Sequence, residues 1–312
     1  MVVVVALGGN ALLRRGEPLE AVRQRANAAG AAAIVAHIAR EHTVVLTHGN
    51  GPQVGLLALR DESAHASVAW PLDVLDAESE GMIGYVLEQE LRNALPDVEC
   101  ATLLTQVVVA ADDPAFAHPT KPIGPTYGAE EAQRLARERG WTVAPDGPAW
   151  RRVVASPRPR SIVELRAIEL LVRAGVVVIC GGGGGIPVVV DETSALRGVE
   201  AVIDKDRAAA LLATELGADA LLLLTDVEGA FVDWATPAAR LVRRASPDAL
   251  GALTFDVGSM GPKVEAACHF VASTGGFAGI GAIGDASEVL RGHAGTLVTA
   301  TASGLELRPP AG

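Results

Sequence analysis

Short, continuously apolar runs recur along this chain, and helical patterns separate them. Continuous apolar runs of this length are typical of strands in a parallel sheet that is buried on both faces. The predicted strands span residues 2–7, 44–47, 100–110, 176–180, 220–225 and 279–284. The predicted helices span residues 19–40, 78–95, 162–174, 204–216 and 262–273, and Ser161 with Glu164 fits a capping box. This alternation predicts an open α/β sandwich with right-handed crossovers.

One segment interrupts the alternation. Residues 112–159 hold eight of the 18 prolines and four of the eleven aromatic residues. A segment of this length without a clear strand–helix unit indicates a protruding subdomain or lid. A surface excursion without a function is the alternative.

Length, charge and cysteine content limit the class of protein. The 312 residues suffice for one large α/β domain or two small ones. A net charge of −11 argues against nucleic acid and anionic membranes as partners, so an anionic small molecule would need a dedicated cationic pocket. The three cysteines (Cys100, Cys180, Cys268) form no CxxC motif, which indicates a reducing compartment. No signal peptide and no membrane-spanning stretch are predicted.

Three glycine-rich turns follow three of the predicted strands. They are Gly8-Gly9-Asn10, the turn from His48 through Gly49, Asn50 and Gly51 to Pro52, and the run from Gly181 through Gly182 and Gly183 to Gly185. Ligands of open parallel sheets bind at the carboxyl ends of the strands, where glycine exposes backbone N–H groups to an anion. Each turn alone is equally compatible with a tight strand-to-helix connection. Together they predict one anion-binding crevice.

The lysines point to the same kind of site. The chain has three, Lys121, Lys205 and Lys263, and the last two lie at predicted helix starts, where a cation opposes the helix dipole. A bound anion would remove this conflict, which makes both lysines candidate catalytic residues. Asp206 could hold their ammonium groups, or it could be an ordinary acidic residue of a first helical turn. Lys121 lies among prolines in the protruding segment and could close over a bound anion.

Other catalytic motifs are absent. The sequence contains no P-loop, no GxSxG elbow and no histidine pair with metal-ligand spacing, so no metal-binding side chain is predicted. The GxGxxG match at residues 279–284 leaves only 28 residues after it, too few for a second nucleotide-binding half.

Six of these segments together resemble the amino-acid kinase superfamily and, within it, the carbamate kinase family. They are residues 6–12 (ALGGNAL), 48–55 (HGNGPQVG), 119–125 (PTKPIGP), 181–188 (GGGGGIPV), 198–206 (GVEAVIDKD) and 258–266 (GSMGPKVEA). The resemblance extends from residue 2 to about residue 298. Cys180, where related sequences are expected to have serine, and Tyr127 are minor departures from the pattern.

The resemblance implies a single domain with a three-layer αβα fold and a mostly parallel central sheet. It divides residues 1–312 into a substrate lobe (about 1–195, with the protruding lid subdomain 112–159), a nucleotide lobe (196–299) and a tail (300–312). The implied phosphotransferase reaction is carbamoyl phosphate + ADP ⇌ ATP + carbamate, with Mg²⁺ on the nucleotide. A cytoplasmic homodimer acting in arginine catabolism is also implied.

The resemblance assigns roles residue by residue. Lys205, Lys263, Asp206 and Lys121 would be catalytic. The substrate side would be formed by Gly8, Gly9, Asn10, Gly49, Asn50 and Gly51. The nucleotide would be bound by Gly181, Gly182, Gly183, Thr225, Asp226, Val227, Met260 and Lys263. The alternatives are another small-carboxylate kinase of the superfamily, such as an acetylglutamate kinase, and a non-catalytic regulatory or storage protein that keeps the fold.

Overall fold

The computed structural model describes residues 1–9, 12–13, 17, 20–64, 70–256 and 258–308. Within these residues nine α-helices and seventeen strands form. The helices are α1 Ala21–Ala39, α2 Gly51–Ala64, α3 Leu72–Ala94, α4 Ala129–Arg139, α5 Leu165–Arg173, α6 Lys205–Glu215, α7 Pro247–Gly251, α8 Met260–Thr274 and α9 Ala286–Leu290. The strands are β1 Val2–Leu7, β2 Thr43–His48, β3 Cys100–Thr102, β4 Gln106–Val109, β5 Lys121–Tyr127, β6 Thr142–Asp146, β7 Ala149–Val154, β8 Pro159–Ile162, β9 Val177–Ile179, β10 Ile186–Val190, β11 Leu196–Gly198, β12 Ala220–Thr225, β13 Phe231–Val232, β14 Arg240–Ala245, β15 Phe277–Ala282, β16 Thr296–Thr299 and β17 Leu305–Leu307.

A ten-stranded central sheet organises the molecule. Six neighbouring strands run parallel in the order β3-β9-β2-β1-β12-β15. Beyond them β16 is antiparallel to β15, β14 is parallel to β16, and both β13 and β17 pair with β14 in the antiparallel sense. The mostly parallel sheet expected from the apolar runs is therefore confirmed.

Helices cover both faces of this sheet. Along β1, Val3, Val5 and Leu7 belong to a core cluster with residues of α1, α3 and α9. Val4 and Ala6 belong to a second cluster with residues of α5, α6 and α8. Because successive side chains of a strand point to opposite faces, the two clusters lie on opposite sides of the sheet. The result is the three-layer αβα sandwich.

The proline-rich segment has regular structure of its own. Strands β5, β7 and β6 form a separate antiparallel sheet, and α4 packs against it. Pro122 and Pro125 are tolerated because β5 is an edge strand that pairs only with β7. The expectation that this stretch lacks a clear strand–helix unit was wrong, since prolines at a sheet edge do not prevent a strand.

Two further expectations were wrong in detail. The apolar run 100–110 forms two strands in different sheets, because β3 joins the central sheet whereas β4 pairs with β10 and β8. When both strands are buried, the apolar pattern of the sequence does not show where one strand ends and a strand of another sheet begins. The capping box is not formed either. Ile162 ends β8, and the Glu164 carboxylate accepts hydrogen bonds from the backbone and side-chain nitrogens of Gln106.

The described helices include none that is both long and apolar enough to cross a membrane.

Candidate active site

A cavity of about 830 Å³ opens at the carboxyl ends of the central parallel strands. Gly8 and Gly9 follow β1, Gly49 follows β2, and Thr225 ends β12. All four residues line the cavity. Lys121, Pro122 and Ile123 of the segment 112–159 also line the cavity. The first two predicted glycine turns thus meet at one crevice, as their positions after parallel strands require, and the third turn contributes Gly183.

All three lysines of the chain line this cavity. The Nζ atom of Lys205 lies 2.5 Å from Oδ1 of Asp206, and the Nζ atom of Lys263 lies 3.0 Å from Oδ2 of the same carboxylate. Lys205 is the first residue of α6, and Lys263 lies in the first turns of α8, which begins at Met260 and not at Pro262. Two ammonium groups therefore share one carboxylate beside the positive ends of two helices. The cluster carries a surplus positive charge that suits an anion.

Burial and mutual charge shift the titration of this cluster. Burial lowers the pKa of Lys205, and the charge of Lys263 acts in the same direction, whereas Asp206 opposes both. Burial by itself would raise the pKa of Asp206, but the two lysines outweigh it and hold that pKa below its usual value. The carboxylate consequently stays ionised and keeps the two ammonium groups in place.

Lys121 forms an ion pair with Asp204, a residue that the sequence predicts only as the start of a helix. Its Nζ atom lies 2.6 Å from Oδ2 of Asp204. The other oxygen of Asp204 caps α6 by accepting hydrogen bonds from the backbone N–H groups of Asp206 and Arg207. Burial opposes ionisation of Asp204, but Lys121 and the cap bonds lower its pKa overall. This ion pair joins the protruding segment to the helix that carries Lys205.

The third glycine run packs against the loop of residues 48–51. Only Gly183 of the three glycines predicted to bind nucleotide lines the cavity. The N–H of Gly181 donates to Oγ1 of Thr105, and that of Gly182 donates to Oε1 of Glu80. A Cβ at Gly182 would lie 2.4 Å from the His48 ring, and one at Gly183 would lie 2.2 Å from the Asn50 amide. The structure does not bring Gly181 and Gly182 to the cavity wall. The absence of side chains at Gly182 and Gly183 instead allows the backbone to pack closely against His48 and Asn50.

A layer of buried polar groups from α3 supports the same loop, and sequence reasoning missed it. The Asn50 amide nitrogen donates to Oδ1 of Asp76 at 3.0 Å and to Oγ of Ser79 at 2.8 Å. Glu80 accepts from Gly182 and, at 3.1 Å, from the N–H of Thr105. The sequence does contain a signal for this layer. Asp76, Ser79 and Glu80 have the same helical spacing as the apolar residues Leu72, Leu75, Ile83 and Leu87, and they are buried on the same face of α3.

Burial dominates the electrostatics of this layer. It raises the pKa of Glu80 to about 8, and it raises the pKa of Asp76 well above its usual value. It lowers the pKa of His48 to about 4, so this imidazole is neutral. Burial therefore favours the neutral forms of these groups, which contribute hydrogen bonds to the site.

The far end of the cavity combines aromatic, apolar and polar side chains. Thr225, Asp226, Val227 and Met260, which were predicted to border a nucleotide, all line it. Phe231 and Trp234 line it as well, with their ring centroids 5.2 Å apart. Both aromatic residues were missed, because they lie in a short strand and loop with no distinctive spacing.

The other predicted site residues can also be located. Asn50 and Gly51 line the cavity together with Gly49. Asn10 lies outside the described residues. Among the described residues no group of three or more His, Cys, Asp or Glu side chains is arranged to hold a metal ion.

Comparison with known proteins places these features in a family. Residues 1–280 match the amino acid kinase family. The carbamate kinase of Rhizobium meliloti (strain 1021) is 54% identical over 306 residues, which cover 97% of this chain and 94% of that protein. The chain belongs to the carbamate kinase family. Its activity class is that of this family, an ATP-dependent phosphotransferase.

Solved carbamate kinase structures share the fold over nearly the whole chain. The carbamate kinase of Giardia lamblia bound to citric acid superposes with a TM-score of 0.90 at 40% identity, covering 96% of this chain and 98% of the other. The same enzyme bound to AMP-PNP superposes with a TM-score of 0.87 at 41% identity, with the same coverage. The αβα sandwich and its central sheet are thus those of the carbamate kinase family.

Proposed function

We propose that this chain catalyses reversible transfer of a phosphoryl group between carbamoyl phosphate and ADP, giving ATP and carbamate. The observation that carries the proposal is the convergence of Lys205 and Lys263 on one carboxylate inside a cavity with a glycine-lined end and an aromatic end. Phosphoryl transfer needs in-line positioning and cations at the developing charge, and it needs little covalent chemistry from the protein. The lysine pair would supply the cations, which supports the proposal.

Lys205 and Lys263 bind the phosphoryl group during transfer. Their ammonium groups share one carboxylate, so each retains N–H donors for the oxygens of the phosphoryl group. Asp206 orients them and does not touch the reacting atoms. Donors fixed in advance in a buried site stabilise a developing charge more than water does, because they do not reorganise during the reaction.

Carbamoyl phosphate binds at the glycine-lined end. The backbone N–H groups of Gly9, Asn50 and Gly51 hold it, together with Asn10 by family resemblance. The N–H groups of Gly8 and Gly49 already donate to the carbonyl oxygens of Leu224 and Leu7, so these two glycines contribute by letting the substrate approach the backbone closely. The Asn50 side chain is already bonded to Asp76 and Ser79, so it fixes the loop and leaves the backbone for the substrate. Lys121 reaches the substrate from the protruding segment by exchanging Asp204 for the phosphate.

The nucleotide binds at the aromatic end. Thr225, Asp226, Val227 and Met260 border it, and Phe231 with Trp234 offers a face on which a purine can stack. Gly181 and Gly182 have no role in nucleotide contact in this proposal. The cavity fits Mg²⁺ held mainly by the nucleotide phosphates. Lysines hold Asp204 and Asp206, whereas Asp226, Asp233 and Asp256 also line the cavity and would bind water ligands of the ion. When bound, Mg²⁺ neutralises charge on those phosphates.

Three wider inferences accompany this assignment. The chain acts as a homodimer in the cytoplasm, where its three cysteines, all free, stay reduced. Carbamate then yields ammonia and CO₂. Because carbamoyl phosphate is a mixed anhydride, the reaction favours ATP formation and suits arginine catabolism.

The proposal is tested by measuring ATP formation from MgADP with carbamoyl phosphate, and with acetyl phosphate as a parallel substrate. We expect carbamoyl phosphate to give the faster release of ATP. Faster release from acetyl phosphate would keep the phosphotransferase assignment and overturn the substrate. A folded protein that binds ADP but forms no ATP from either compound would overturn the activity.

A further inference from the structure

Two glycines from separate sequence motifs touch each other away from the reacting groups. Gly55 ends the segment HGNGPQVG and lies in α2, which begins at the substrate-side residue Gly51. Gly124 lies in PTKPIGP, three residues after Lys121 on β5. The proposed reaction gives neither glycine a role.

The contact between them is backbone against backbone. A Cβ placed on Gly55 would lie 2.1 Å from both N and Cα of Gly124 and 3.2 Å from the carbonyl carbon of Ile123. Carbon atoms ordinarily approach to about 3.5–4.0 Å, so a side chain of any size at position 55 would push β5 away. Gly124 itself has φ +70°, a conformation that favours glycine.

This contact lies between the substrate loop and the lysine of the protruding segment. Ile123 packs into a core cluster with Val54 and Ala58 of α2, on either side of Gly55. Lys121 begins the strand that carries Ile123 and Gly124. The spacing between α2 and β5 therefore fixes how far Lys121 stands from residues 49–51.

We propose that the Gly55–Gly124 contact is a positioning element that holds Lys121 at its working distance from the substrate loop. The proposal rests on the proposed function, in which Lys121 binds the phosphate. A substituent on Gly55 would displace the strand by about 1 Å or more, and a misplacement of this size can lower a rate by about 10²-fold.

The test starts from Gly55→Ala, with Gly30→Ala as its matched control. Gly30 is also helical, and a Cβ there meets nothing within 4 Å. We expect Gly55→Ala to lower kcat for ATP formation from carbamoyl phosphate by about 10²-fold. The affinity for ADP should stay unchanged, since β12, β13 and α8 border the nucleotide. Gly30→Ala should leave both quantities at the wild-type level.

A double-mutant cycle with Lys121→Ala separates positioning from a general structural role. If Gly55 acts through Lys121, the double variant Gly55→Ala/Lys121→Ala is no slower than Lys121→Ala alone. Effects that multiply would overturn the inference, and so would a Lys121→Ala variant with wild-type kcat. Should Gly55→Ala fail to fold, Gly124→Ala takes its place in the cycle, because it strains the same strand through φ without a collision.

The two levels of the proposal fail in different ways. A wild-type protein without ATP formation from carbamoyl phosphate contradicts the proposed function. An active wild-type protein in which Gly55→Ala keeps full kcat contradicts only the positioning role.

Discussion

Asp206 is the residue on which the charge state of the buried Lys205 depends. A lysine attracts an anion only while it is protonated, and the pKa of Lys205 is already lowered by burial and by Lys263. Asp206 counteracts both effects through its carboxylate, 2.5 Å from Lys205. The activity should therefore decline as the pH rises through the pKa of Lys205.

Asp206→Asn removes this counteracting charge and lowers the pKa of Lys205 further. We expect the alkaline decline of kcat to begin at a lower pH than in the wild type, and kcat at neutral pH to fall by about 10-fold or more. The measurement is a pH–rate profile from about pH 6 to 10. Asp97→Asn, at an exposed position, serves as the charge-matched control. An alkaline decline at an unchanged pH would show that Asp206 does not set the charge of Lys205.

At the residue scale, the sequence predicted the site residues whose positions are unfavourable in an ordinary helix. Lys205 and Lys263 stood out because cations at helix starts are unfavourable without a ligand. Asp76 and Glu80 did not stand out, because an acidic residue in a helix is ordinary until its face is known to be buried. Asp204 was recognised as a helix start, but its ion pair with Lys121 joins positions 83 residues apart, and no local pattern carries such a contact.

At the scale of elements, α3 places buried carboxyl groups against Asn50 and Gly182, and these groups should make stability depend on pH. Glu80 ionises near the ordinary glutamate pKa of 4.5 in the unfolded chain, whereas burial raises its pKa to about 8 in the fold. Between these values the folded state holds one more proton than the unfolded state. The free energy of unfolding therefore falls as the pH rises through this window, by at most about 1.4 kcal/mol per pH unit for one group.

Glutamine does not bind this proton, so Glu80→Gln abolishes the difference in bound protons that Glu80 causes between the folded and unfolded states. We expect a shallower decline of the free energy of unfolding between about pH 5 and 8, measured by chemical denaturation at several pH values. The variant should also be less stable overall, because one amide cannot accept from the N–H groups of both Gly182 and Thr105. The same pH slope in both proteins would contradict the buried, protonated state of Glu80.

Elements with a strong apolar signal were predicted well, and those defined by long-range pairing were not. The strands at residues 2–7 and 220–225 match β1 and β12 residue for residue. Helix α2 was missed, because the glycines and the proline at its start read as a turn. Proline in a first helical turn is favourable, but only the packing of α2 against β5 and α3 shows that the helix continues.

At the scale of the whole molecule, the cavity draws on both halves of the chain. Gly49 and Lys121 come from the predicted substrate lobe, whereas Lys205, Thr225 and Lys263 come from the predicted nucleotide lobe. Strands β1 and β12, one from each half, pair directly at the centre of the sheet. The two halves therefore share one sheet and should unfold together.

Thermal unfolding in the presence of ADP tests this cooperativity. A ligand at about 100 times its Kd adds about 2.7 kcal/mol to the free energy of unfolding. We expect one transition that moves to higher temperature as a whole. Two transitions, of which ADP moves only one, would show that the lobes are separate folding units.

The most direct test of the account compares single-turnover ATP formation by the wild type and by Lys205→Ala, after matched ADP binding is established. Carbamoyl phosphate is added to the enzyme–MgADP complex, and ATP is measured over time. We expect Lys205→Ala to fold, to bind ADP and to form ATP at least about 10²-fold more slowly, because one fixed cation at the transferred group is gone. A folded Lys205→Ala variant with near wild-type ATP formation would contradict this expectation.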